Sequence, residues 1–252
     1  MRRGRVVALT AALAMWVGVG VPPRSQFAAS DPSSPMERGL ALYESGRMAE
    51  ALMAFHGAAD ADADSPMPDF GVGIVCAALG WLDRAEDALE DALTKRPGFP
   101  EAHDELGDIL LRRRAFREAE SHYRTAIALR PDYVEAYLGL GLTFATQRMF
   151  PEARDAYSMA LALDPSTAPA HRSLGEIHAW EGDLDAAITS YGAALSLDPT
   201  VVAVHHGVGV ARLRQHEYAA AVVALRRTVA LDPGHKSAWH SLAKAYAANG
   251  DR

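Results

Sequence analysis

The chain has 252 residues, 49% of them hydrophobic and 23% charged, which is the composition of a folded soluble protein and not of a disordered one. Its formal charge is −7, and without residues 1 to 20, which carry Arg2, Arg3 and Arg5, it is −10, from 22 basic against 32 acidic residues. That balance argues against binding to phosphate backbones, and a single cysteine, Cys76, excludes an internal disulfide and a thiolate metal cluster.

The first predicted element is a leader. "MRRGR" is followed by "VVALTAALAMWVGVGV", an uncharged apolar stretch of 16 residues that "PPRSQ" breaks. As a helix it would span roughly 24 Å, short of the roughly 30 Å hydrocarbon core of a bilayer, so residues 1 to 21 read as a signal peptide, with a signal anchor as the alternative. Residues 22 to 31 read as a linker. Either way the rest of the chain is expected outside the cytoplasm, in the periplasm or cell envelope, touching a membrane only through an uncleaved N-terminus.

From residue 32 onward the chain repeats itself. Pro97, Pro131, Pro165, Pro199 and Pro233 stand 34 residues apart, and the register places repeat starts at 32, 66, 100, 134, 168, 202 and 236. Position 8 is Gly39, Gly73, Gly107, Gly141, Gly175 and Gly209, then Ala243. Position 20 is Ala51, Ala85, Ala119, Ala153, Ala187 and Ala221. Position 27 is Ala58, Ala92, Ala126, Ala160 and Ala194, with Thr228 departing. In a unit such as "VEAYLGLGLTFATQRMFPEARDAYSMALALDP", apolar residues recur at three and four on either side of "QRMF", which predicts a helical hairpin, helix A then helix B. Pro151 suits the first turn of helix B and Pro165 ends it. A helical Gly costs about 1 kcal/mol relative to Ala, so the position 8 glycines need a reason. Small residues at 8, 20 and 27 would let the two helices cross closely, with Phe55, Leu89, Tyr123, Tyr157, Tyr191 and Leu225 at position 24 as the complementary large side chains.

On these positions the chain resembles the tetratricopeptide repeat family, with Gly at 8, Ala at 20 and 27, a large residue at 24 and Pro at 32. The resemblance covers residues 32 to 252 and implies an all-α fold: an α-α superhelix, or solenoid, of six full hairpins plus a C-terminal half repeat or capping helix, helix A lining a concave groove. Ala63 replaces the first proline, position 11 varies, and Arg212 at that position puts packing of the sixth repeat in doubt. The final "NGDR" fits a capping helix or a truncation.

No phosphate loop, H-E-x-x-H, G-x-S-x-G or CxxC pair occurs, and the repeats leave no room for a catalytic domain, so no enzyme, cofactor or catalytic residue is expected. "DADADSP" opens like a calcium loop but has Ser65 and Gly71 where Gly and Glu are needed, and reads as a solvated turn. His103, His171 and His205, at position 4, read as packing side chains, as does His178 at position 11. Cys76 reads as a small buried hydrophobe. His206 and His240 share position 5, one repeat apart, and offer too few ligands for a metal site to be assigned.

The main candidate is the groove itself. Positions 2, 5, 9, 12 and 13 should form the exposed stripe of helix A. In the first repeats that stripe is apolar, with Phe70 and Ile74; in the last three it carries Arg172, Glu176, Trp180, His206, Arg214, His240 and Lys244. The stripe could be only a solubilising surface, with the N-terminal apolar residues packed under the leader. As a site it predicts a protein–protein interaction scaffold whose partner is a protein or peptide, an acidic or C-terminal carboxylate segment pairing with the basic end. Trp180 is expected to sit between Arg172 and Arg214. The paired Asn and Lys of chaperone-clamping members are missing, since Asn249 is the only asparagine. Alternatives are a self-associating structural module, with homo-oligomers, or a repeat protein that binds a small ligand or metal through His206 and His240.

Overall fold

The 34-residue period of the sequence becomes a helical period in space. The computed structural model describes residues 34–250, and among them it has thirteen α-helices and no strand. The helices are α1 Pro35–Glu44, α2 Met48–Ala61, α3 Met67–Leu79, α4 Leu82–Lys95, α5 Pro100–Arg112, α6 Phe116–Leu129, α7 Val134–Thr146, α8 Phe150–Leu163, α9 Ala168–Glu181, α10 Leu184–Leu197, α11 Val202–Arg214, α12 Tyr218–Leu231 and α13 Lys236–Asn249. Odd-numbered helices are helix A of a repeat and even-numbered ones helix B. The leader and linker lie outside the described residues.

Packing divides the chain after Pro131, at the end of the third repeat, into two compact units. In the first, α1 to α5 enclose a core that includes Leu40, Phe55, Met67, Phe70, Ile74, Leu89, Phe99, Leu106 and Ile109. In the second, α7 to α13 bury smaller clusters, among them Tyr191 with Val204, and Leu225 with Val229 and Leu242.

The position 8 glycines are explained by what faces them. A Cβ on Gly141 would stand 2.7 Å from the Tyr157 ring, and one on Gly39, Gly175 or Gly209 would stand 2.5 Å from Phe55, Tyr191 or Leu225. Burying each of these large side chains contributes roughly 1.5–3 kcal/mol, more than the roughly 1 kcal/mol each helical glycine costs. Position 15 is a second periodic feature. Gly46, Gly80, Gly182 and Gly250 there have φ between 80° and 90°, and Arg114, Arg148 and His216 take φ of 62–63° at the same place. This left-handed residue turns helix A into helix B, and glycine is the residue that adopts it without strain.

Hydrogen bonds tie consecutive repeats together. The position 4 rings of His103, His171 and His205 donate from Nε2 to the carbonyls of Pro97, Pro165 and Pro199 at 3.1, 3.1 and 2.9 Å, and Trp239 Nε1 donates to Pro233 O at 2.9 Å. These side chains were expected only to pack; their N–H groups also satisfy carbonyls beyond the end of helix B. Arg112 caps the C-terminus of α3 through Ala77 O at 3.1 Å. Arg212 is half-buried and pairs with Glu217, so position 11 of the sixth repeat stays partly open. Cys76 is buried, and burial pushes its thiol pKa up, as suits a small core residue.

Candidate functional site

Within the second unit, the A helices lie side by side, α7 against α9, α9 against α11 and α11 against α13. Their stripe positions therefore follow one another on one face. Arg172 and His206 are half-exposed, and Glu176, Trp180, Arg214, His240 and Lys244 are exposed. Leu142 on α7 adds an apolar side chain 48% exposed.

Trp180 is 65% exposed, an unusual place for so large an apolar ring. Its cationic neighbour is Arg148, whose guanidinium lies 4.8 Å from the ring centroid. The expected flanking by Arg172 and Arg214 is corrected on this point. Arg172 faces Glu176 at 3.6 Å, one helical turn along α9. Arg214 donates to Ala179 O at 2.6 Å, closing the C-terminus of α9 as Arg112 closes that of α3. Arg148 escaped the sequence reading because it sits in the A–B turn, outside the stripe pattern. Its left-handed backbone is the local feature that sets where its side chain leaves the turn.

His206 and His240 do not form a pair. The ring beside His206 is His235, with centroids 4.8 Å apart, and burial, then His235, lowers the His206 pKa. His235 Nδ1 accepts from Ala238 N–H at 3.1 Å and so serves as the N-cap of α13. Among the described residues no group of three or more His, Cys, Asp or Glu side chains is placed to hold a metal ion. Asp60, in the last turn of α2, and Asp62 and Asp64, just after it, are exposed.

The first unit departs from the expected stripe. Phe70 and Ile74 have 0% exposure, where exposed groove residues were expected, and Phe70 packs on Phe99 with ring centroids 4.8 Å apart. Large apolar side chains on this face pack into the unit's own core, because contact with each other removes more apolar area from water than a solvated stripe would. Glu101 is buried in a pair with Arg130, and Asp108 accepts from the buried Tyr123 hydroxyl at 2.7 Å. Burial, then the Asp108 charge, raises the Tyr123 pKa, so the phenol stays a donor. The helical period had located these residues on α3 and α5 but could not say that neighbouring large side chains would close over them.

A family model described as tetratricopeptide repeat matches residues 36–100, 77–124, 105–168, 147–201 and 209–251. The chain belongs to the tetratricopeptide repeat family. Tetratricopeptide repeat proteins act as scaffolds for protein–protein interaction and are typically not enzymes. A curated relative, cell division cycle protein 27 homolog A of Arabidopsis thaliana, is 32% identical over 89 residues, which is 35% of this chain and 12% of that protein's length. Among solved structures, PilW, described as a widely conserved type IV pilus biogenesis factor, has a TM-score of 0.73 at 19% identity, over 83% of this chain and 96% of its own. YrrB, described as a tetratricopeptide repeat protein with an unusual peptide-binding site, has a TM-score of 0.59 at 20% identity, over 75% of this chain and 97% of its own. These structures share the all-α repeat fold. No helix among the described residues is long and apolar enough to cross a membrane.

Proposed function

We propose that the second unit binds an extended segment of a partner protein along the stripe of α7, α9, α11 and α13. The observation that carries this reading is Trp180, 65% exposed and stacked by Arg148, on a face that also presents His240 and Lys244 to solvent. An exposed Trp with a cation on its face offers a flat apolar platform, and the basic groups beyond it favour an acidic or C-terminal carboxylate segment. Arg214 is a structural cap in this account, and Arg172 shares its charge with Glu176. Because the stripe rides on packed helices, a partner would meet a site that needs little ordering.

The setting we propose is the cell envelope, in assembly or quality control of other proteins. Its support is the basic-then-apolar leader of residues 1 to 21, together with the fold shared with a type IV pilus biogenesis factor. The test is a panel of acidic and neutral peptides with free or amidated C-termini, titrated against the full chain and against Trp180→Ala/Lys244→Glu. Loss of charge-assisted hydrogen bonds and of the aromatic platform should weaken the acidic, free-carboxylate peptide by at least about tenfold. Equal affinity for both proteins, or for acidic and neutral peptides, would place the partner's site elsewhere.

A further inference from the structure

We infer that the open face of α13 takes an acidic, amphipathic α-helix from a partner protein, seated where helix B sits in the other repeats and carrying a small side chain opposite Ala243. This face is separate from the stripe that holds Trp180, and the inference does not rest on that reading.

In the six full repeats, helix B buries position 8 of its own helix A: Gly73 lies under Leu89, Gly141 under Tyr157 and Gly209 under Leu225. Among the described residues α13 packs on α11 and α12 alone, so the same positions face water. Ala243 at position 8 is exposed, Trp239 at position 4 is 51% exposed, and Tyr246 at position 11 is half-buried. Spaced i, i+4 and i+7, the three form one apolar seam on the helix. Trp239 Nε1 donates to Pro233 O at 2.9 Å, which holds the indole on this seam, so a partner meets a platform already in place.

Volume and charge choose the occupant. A Cβ added to Gly73 would stand 2.7 Å from Leu89, and one added to Gly209 would stand 2.5 Å from Leu225. Ala243 has that Cβ. A helix with Leu, Phe or Tyr at position 24 therefore overpacks against α13 at the spacing of the other repeats, whereas one with a smaller side chain there fits. Residues 218–249, which make up α12, α13 and the turn between them, carry Arg226, Arg227, Lys236 and Lys244, all exposed, against a single carboxylate, Asp232, although the whole chain has a net charge of −7. This end of the array thus attracts an acidic helix. It also disfavours a second copy of the chain as occupant, because a two-fold pairing of α13 with itself would set Lys236 and Lys244 against their own counterparts. Helix α4 shows the matching chemistry within this chain: a helix B with Asp83, Glu86, Asp87, Glu90 and Asp91 against Arg84 and Lys95.

The probe is therefore a peptide of residues 82–95, end-blocked and constrained to be helical, in two forms, one with Leu89 and one with Leu89→Ala. Fluorescence anisotropy gives the Kd of each form for the full chain and for its Ala243→Gly, Ala243→Glu and Trp180→Ala variants, with circular dichroism to check folding. The Leu89→Ala form is expected to bind the wild-type chain, to lose at least tenfold in affinity on Ala243→Glu, and to be unchanged on Trp180→Ala. In Ala243→Gly the ratio of the Leu89 Kd to the Leu89→Ala Kd should fall at least fivefold, a ratio that cancels any general weakening of α13. Replacing the peptide's Asp and Glu by Asn and Gln should weaken binding at least fivefold at low salt. An unchanged ratio, equal affinity of the amide peptide, full binding to folded Ala243→Glu, or no binding by 1 mM peptide would each overturn the inference. Loss of binding in Trp180→Ala would move the peptide to the stripe, overturning this inference while leaving the reading of that stripe intact. A dimer of the chain alone in sedimentation equilibrium, broken by Ala243→Glu, would make a second copy the occupant and overturn it as well.

Discussion

At the scale of single residues, this chain is governed by the volume at position 8. Glycine there is a poor helix former kept because a larger group has no place to go. Gly141→Ala would gain about 1 kcal/mol of helix propensity and lose about 1–3 kcal/mol to overpacking, since the new Cβ meets three Tyr157 ring atoms at 2.7, 2.8 and 2.9 Å. We expect net destabilisation in urea unfolding. Gly192, helical in α10 and exposed, has nothing within 4 Å of an added Cβ, so Gly192→Ala should stabilise by up to about 1 kcal/mol. If the two substitutions behave alike, the close crossing of α7 and α8 is not what holds position 8. Residues with hydrogen-bonding rings follow another logic. A His or Trp at position 4 presents an N–H to the proline carbonyl behind it, which explains why the two can stand at the same place.

At the scale of elements, the six B helices cover the same repeat positions and each is entered through a left-handed residue at position 15. Where that residue is Gly the turn is relaxed; at Arg114, with φ 63°, the backbone carries a cost of roughly 1–2 kcal/mol. Arg114→Gly should remove it, set against the roughly 0.4–1 kcal/mol that glycine costs through the unfolded chain. The expected outcome is a net gain of about 0.5–1 kcal/mol in chemical denaturation, and a loss would show that the Arg114 side chain stabilises the turn. Arg148→Gly should gain less, because it also removes the cation above Trp180.

At the scale of the whole molecule, stability is distributed unevenly. Of the eleven largest fully buried side chains, nine lie in the first unit, and the second unit has Tyr157 and Leu225. A repeat array opens where neighbour packing is weakest, so amide hydrogen exchange should be slowest in α3 to α5, where large buried side chains concentrate, and faster in α13, which among the described residues packs on α11 and α12 alone. Uniform protection across both units would contradict that gradient. The same division separates roles: the first unit spends its apolar stripe on its own core, and the second keeps its stripe in water, where a partner can reach it.

The amino-acid sequence by itself determined the period, the register and the all-α hairpin fold, because one 34-residue spacing of small, large and proline residues repeats with few exceptions. It also placed Arg172, Trp180, His206 and Lys244 on helix A surfaces, since a helix fixes direction once its inward face is known. Only the tertiary structure decided which stripe stays open. Phe70 and Trp180 are both aromatic residues at stripe positions, yet one is sealed against Phe99 and the other stands in solvent beneath Arg148. The partners that make the difference come from other helices and turns, at separations no local pattern specifies. The same holds for the hydrogen bond between the His103 and His122 rings, nineteen residues apart, which joins α5 to α6 where the two helices cross closely over Gly107.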